Sequence, residues 1–155
     1  MKNRDVITLF LADDDDDDCL LFGQALNEIP LSTRLMVAYD GEQLLHLLEH
    51  NLEELPDVLF LDLNMPRKNG WQCLEEIKQD NRLKMIPVVI FSTSFQQDLA
   101  DQLYNKGTNY YIRKPSDFNQ LKSVIHQVLT LIYKERIAAP GEIPFPPTKA
   151  SYLLS

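Results

Sequence analysis

The chain has little from which to build a thiolate, nucleotide-binding or nucleic-acid-binding site. Only two cysteines occur, Cys19 and Cys73, with no CxxC pair and no zinc-ligand spacing. That excludes a disulfide framework, and both read as small buried hydrophobes suited to a reducing cytoplasm. The five glycines form neither GxGxxG nor GxxxxGK[ST], so no loop is equipped to cradle ATP. Basic residues number 15 against 23 acidic ones, a net charge of −8, which argues against phosphate-backbone binding. No apolar run is long enough to cross a bilayer. Residues 6–12, preceded by Lys2 and Arg4, only superficially resemble a secretory leader: Asp5 interrupts them and an aspartate run follows where small residues should stand. There is no Ser/His/Asp arrangement, and His46, His50 and His126 read as surface residues with no shared spacing or motif.

What is present is alternation. With 155 residues, 45% of them hydrophobic and 25% charged, the chain suffices for one domain with a real core. Apolar runs at 6–12, 35–39, 58–61, 88–91 and 109–112 predict five strands. Between and after them, apolar residues recur at helical spacing: Leu21, Ala25 and Ile29; Leu44, Leu45, Leu47 and Leu48; Leu74 and Ile77; Leu99, Leu103 and Tyr104; and Phe118 through Ile132. Pro30 and Gly107 stop two of these helices, and Asp40, Gly70 and Ser116-Asp117 stand at the starts of three. Five βα units predict a doubly wound α/β domain, a parallel sheet covered on both faces. Residues 1–135 are assigned to it. Residues 136–155, with four of the nine prolines, read as an extended tail that either docks or stays solvated, with no output domain.

The chemistry lies at the strand ends. Asp13 and Asp14 follow the first, Asp62 the third, Ser92 the fourth and Lys114 the fifth, and an open α/β sheet gathers such residues in one crevice. Grouped carboxylates repel unless a cation compensates them, and magnesium takes oxygen ligands beside an incoming phosphate. The reaction that fits is phosphoryl transfer to Asp62, with Lys114 and Ser92 as donors to the phosphoryl oxygens.

The acidic pair, Asp62 with the following Met65-Pro66, the hydroxyl after strand four and Lys114-Pro115 after strand five together resemble the receiver domain of two-component response regulators, the CheY-like family, over roughly residues 5–135. The resemblance implies a flavodoxin-like sheet of order 2-1-3-4-5. It implies Asp62 as phosphoacceptor, Asp14 as direct Mg2+ ligand with Asp13 acting through water, and the Asn64 backbone carbonyl as a further ligand. Ser92 and Tyr111 match the switch pair, Asn64 and Ser94 flank the path of hydrolytic water, and Lys114-Pro115 matches a cis peptide. A sensor histidine kinase or phosphotransfer protein is the implied donor, a protein target or a homodimer the implied output, and phytochrome-like kinases a further resemblance. Two departures stand out. Ser92 replaces a common threonine, and the acidic run continues through Asp18, so a one-residue slip would pass the direct-ligand role to Asp13 or Asp15. A phosphorylation-independent binding module and an aspartyl-nucleophile phosphatase are the competing readings; Asn64 stands where such a phosphatase needs an acid. Trp71, just past the loop, is placed to report metal or phosphate binding.

Overall fold

The computed structural model describes residues 6–51, 54–93 and 96–137. Five strands alternate with five helices: β1 (Ile7–Ala12), α1 (Asp16–Asn27), β2 (Thr33–Ala38), α2 (Gly41–His50), β3 (Val58–Leu61), α3 (Gly70–Gln79), β4 (Val88–Ser92), α4 (Gln97–Asn105), β5 (Tyr110–Arg113) and α5 (Phe118–Ile137). All neighbouring strands are parallel, in the order β2-β1-β3-β4-β5, as expected. The chain therefore winds one way from β1 to β2 and the other way from β3 onward. The crevice where it reverses lies at the C-terminal ends of β1 and β3.

The inner strands are apolar on both sides because each face carries helices. Leu9, Leu11, Val58, Phe60, Val89, Phe91 and Ile112 pack with α1 and α5. Their alternate neighbours Phe10, Ala12, Leu59, Leu61, Val88, Ile90 and Tyr111 pack with α2, α3 and α4. On the first face Phe22 meets Phe60 edge-on at 5.0 Å and Phe91 at 6.1 Å. Such pairs add about 0.5–1.5 kcal/mol each beyond the area they bury.

The helix α4 ends in a Schellman motif, in which Gly107 N donates to Tyr104 O and Thr108 N to Leu103 O. Gly107 has φ +99°, and a Cβ there would stand 3.0 Å from Lys78 Cε. Gly107→Ala is expected to destabilise the protein by about 1–2 kcal/mol, the penalty for a side chain in left-handed backbone, read as a lower urea midpoint at unchanged slope.

Several local expectations shift. The edge strand β2 starts two residues early and ends one early, because Thr33 and Arg34 pair with Ile7 and Thr8 although they lack the apolar signature. The helix α5 continues through Ile137 where the tail was expected from 136, since nothing before Pro140 forbids helix. Lys78, a charged residue of α3, is half-buried with Nζ donating to Lys84 O at 3.1 Å, and burial lowers its pKa. His46 and His50 are exposed but do share a spacing: four apart on α2, their rings lie 3.9 Å apart. Every described peptide bond is trans, Lys114-Pro115 included. Trans is the lower-energy isomer, and it already brings the Lys114 ammonium to the carboxylates. The leader-like residues before Val6, the tail from 138 and Ser94 lie outside the described residues, of whose helices none is long and apolar enough to cross a membrane.

Candidate functional site

Three side chains are delivered to the crevice by the same device. Each belongs to the residue just past its strand, with its backbone N–H still bonded to the neighbouring strand. Asp13 N donates to Ala38 O at 3.0 Å, Asp62 N to Ala12 O at 2.9 Å and Lys114 N to Ser92 O at 2.6 Å. The sheet thus fixes where these side chains begin, and a one-residue slip of β1 is excluded by the Ala12–Leu61 pairing.

The acidic run divides by role. Asp13 is buried; Asp14 is exposed. Asp15 caps α1, its carboxylate accepting from Asp18 N at 3.0 Å, and Asp16, Asp17 and Asp18 form the helix's first turn, where the dipole favours negative charge. Asp15 N in turn donates to Asp13 Oδ1 at 3.0 Å, so the cap also orients the buried acid.

Lys114 organises the pocket. Its Nζ lies 2.6 Å from Asp13 Oδ2, 3.0 Å from Asp18 Oδ2 and 3.4 Å from Asp62 Oδ2. Burial alone would lower its pKa, but the bond and charge of Asp13, the bond to Asp18 and the charge of Asp62 outweigh that and raise it above the ordinary lysine value. Asp13 moves up as well. Burial penalises its charge more than Lys114 and the Asp15 amide favour it, and the Asp62 charge adds to the rise. The Cys19 thiol donates weakly to Asp13 O at 3.5 Å and is pushed up to about 12 by burial and the neighbouring acids, so it is inert packing. Cys73, also buried, is raised likewise.

Asp13, Asp14 and Asp62 each offer a carboxylate oxygen, all within 4.8 Å of one another. Hard oxygen donors at that separation suit one divalent cation, which would offset a negative charge that a single ammonium leaves uncompensated. The donor set therefore fits magnesium.

The remaining expected residues fall around this centre. Asp62 Oδ1 accepts from Asn64 N at 3.2 Å, which folds the exposed Asn64 back over the carboxylate. Ser92 ends β4 and is buried. Tyr111 is fully buried between β4 and α4, its hydroxyl accepting from Gln96 N at 3.4 Å, and burial raises its pKa. Trp71 is half-buried on the first turn of α3.

Two features escaped the sequence reading. One is the Asp18–Lys114 contact. Its signal is its place in the first turn of the helix that directly follows the strand end, three residues past the Asp15 cap. The other is a brace on the loop after Asp62, where Arg67 has φ +66° and its Nε lies 3.6 Å from Asp40 Oδ2.

The sequence matches the family described as the response regulator receiver domain over residues 9–126. A probable methanogenesis regulatory protein, FilR2 of Methanothrix harundinacea, is 29% identical over 83% of this chain and 84% of its own. Response regulator Rcp1 of Synechocystis is 29% identical over 86% of this chain and 92% of its own; its Mn(2+)-bound crystal structure has a TM-score of 0.73, covering 87% of this chain and 99% of that one. The phosphorylated cyanobacterial phytochrome response regulator RcpA is 31% identical, with a TM-score of 0.75 over 87% of this chain and 99% of its own.

Proposed function

Since the chain belongs to the response regulator receiver family of two-component phosphorelay signalling, we propose that it accepts a phosphoryl group on Asp62 from a sensor histidine kinase or phosphotransfer protein. The observation that carries this reading is the meeting of Asp62, Asp13 and Lys114 at the switch point of the sheet. An Asp62 carboxylate oxygen attacks phosphorus. The O–P bond forms as the donor's P–N bond breaks, and the electron pair remains on the imidazole. Asp13, Asp14 and Asp62 would hold the magnesium, with the Asn64 carbonyl as a further ligand; when bound, the ion supplies positive charge opposite the phosphoryl oxygens. Lys114 stays protonated and donates to the phosphoryl group, and Ser92 turns its hydroxyl towards it.

The buried position of Tyr111 is one end of the switch. Movement of Ser92 towards the phosphoryl group would favour this inward position of the Tyr111 ring over an outward one, and the α4–β5 surface differs according to which state is populated. The chain itself acts as phosphoacceptor rather than enzyme, works in the cytoplasm, and passes its signal by protein contact, its net charge of −8 disfavouring nucleic acid. Asn64 and Ser94 flank the approach of hydrolytic water and tune phosphoryl lifetime. The resemblance to RcpA, a phytochrome response regulator, supports a phytochrome-like kinase as the donor class.

Incubation with a small acyl phosphate and Mg2+ is expected to add one phosphoryl group, seen by intact mass, and Asp62→Asn is expected to add none. Persistence of the adduct in Asp62→Asn, or phosphate release with no adduct, would overturn the proposal.

A further inference from the structure

An ammonium carries three hydrogens, and at Lys114 all three have acceptors. These are Asp13, Asp18 and Asp62, at 2.6, 3.0 and 3.4 Å. The longest of the three, to Asp62, is on the residue that takes the phosphoryl group, so closing the ammonium onto that group draws it away from the two acceptors it holds more tightly. One acceptor must give way. The Asp13 side chain is 3% exposed and would be left buried with the Asp15 amide but no cation, whereas that of Asp18 is 37% exposed. A cavity of about 40 Å³ lies against Asp13, Asp18 and Lys114 alike, so the greater exposure of Asp18 decides between the two acids, and a space of that size admits water to the carboxylate that is released. The backbone of Asp18 does not need to move, since its N–H is held by the Asp15 cap.

We infer that Asp18 is a positioning residue that holds one hydrogen of the Lys114 ammonium in the resting site and yields it to the phosphoryl group. The inference rests on the reading of Asp62 as phosphoacceptor. Asp18 thereby sets a threshold: it competes with the phosphoryl oxygens for the same donor and slows loading. The contact, not the charge alone, carries the effect. Asp17, its neighbour in the same helical turn, is exposed and bears the same charge, so it separates the two.

The test compares Asp18→Ala, Asp18→Asn and Asp17→Ala with the unaltered chain. The rate of adduct formation from a small acyl phosphate with Mg2+ is measured at donor concentrations below saturation. A charge-assisted bond at a half-exposed site changes a rate roughly threefold to tenfold. Asp18→Ala is expected to load faster by that factor, Asp18→Asn by less because its amide oxygen still accepts, and Asp17→Ala by less than about twofold. In the metal-free protein, the ammonium hydrogens of Lys114, observed through their Nζ resonance, are expected to exchange with water faster in Asp18→Ala and unchanged in Asp17→Ala. Equal rates for Asp17→Ala and Asp18→Ala, or unchanged ammonium exchange, overturn the inference while leaving the phosphoacceptor reading intact. Absence of any adduct in the unaltered chain overturns both.

Discussion

Lys114→Met is expected to destabilise the metal-free protein by about 3–5 kcal/mol, because it leaves buried carboxylates without their cation. The replacement keeps much of the stem's volume and removes only the charge. Asp13 and Asp62, with side chains 3% and 10% exposed, then face each other and Asp14 with no cation between them. Desolvation already raises the Asp13 pKa with Lys114 in place, so without it the carboxyl takes up a proton more readily still.

Two additions distinguish this electrostatic loss from a packing defect. Excess Mg2+ binds the folded pocket and not the unfolded chain, so at about 100 times its dissociation constant it should return about 2.7 kcal/mol to the variant. Acid should act in the same direction. A carboxyl whose folded pKa is raised binds more protons in the folded than in the unfolded state as pH falls through that range, so the variant recovers on acidification relative to the unaltered chain. At the alkaline end the gap narrows from the other side. The raised folded pKa of Lys114 gives a contribution that is complete below the unfolded lysine value and is lost as pH rises through the folded one, and only the unaltered chain has it to lose. Urea midpoints across pH, with and without Mg2+, measure all three. A Lys114→Met protein whose deficit ignores both ion and pH would show that Lys114 serves packing alone.

The strand ends were legible in the sequence because buried parallel strands are continuous apolar runs with polar residues directly after them. β3 falls at Val58–Leu61 as its pattern demands, and Asp62 follows it. The match weakens wherever a partner rather than composition decides. Thr33 and Arg34 belong to β2 because β1 lies beside them, and Arg113 belongs to β5 because it pairs with Ser92. The six aspartates read as one acidic block, and composition cannot divide a block whose members are identical. The divider is the helix start, which makes Asp15 a cap and turns Asp18 back to Lys114. The left-handed Arg67 and its contact with Asp40 were hidden for a related reason, since they join a loop to a helix start far from it in sequence.

Gly70→Ala is expected to lower stability by about 1–3 kcal/mol and to slow phosphoryl loading on the order of a hundredfold, although alanine is the better helix former. Gly70 is the first residue of α3, and a Cβ there would lie 2.3 Å from Asp62 O and 2.7 Å from Leu63 Cα. Those atoms cannot retreat freely. Asp62 N is bonded to Ala12 O, and Gly70 N to Leu63 O, both at 2.9 Å, so the helix start and the strand end are clamped to each other. The propensity gain, about 1 kcal/mol, is smaller than the strain of parting them. If α3 shifts, the Asn69–Gln72 capping box that seats it must follow. If Asp62 shifts, its carboxylate leaves the Lys114 ammonium, where the present 3.4 Å is already the longest of the three contacts. Denaturation and loading rate measured on one preparation separate these outcomes. A stability loss with normal loading means α3 moved, and a joint loss means the phosphoacceptor did. A stabilised variant that loads normally would show that close approach of the helix start to the strand end is not what fixes Asp62.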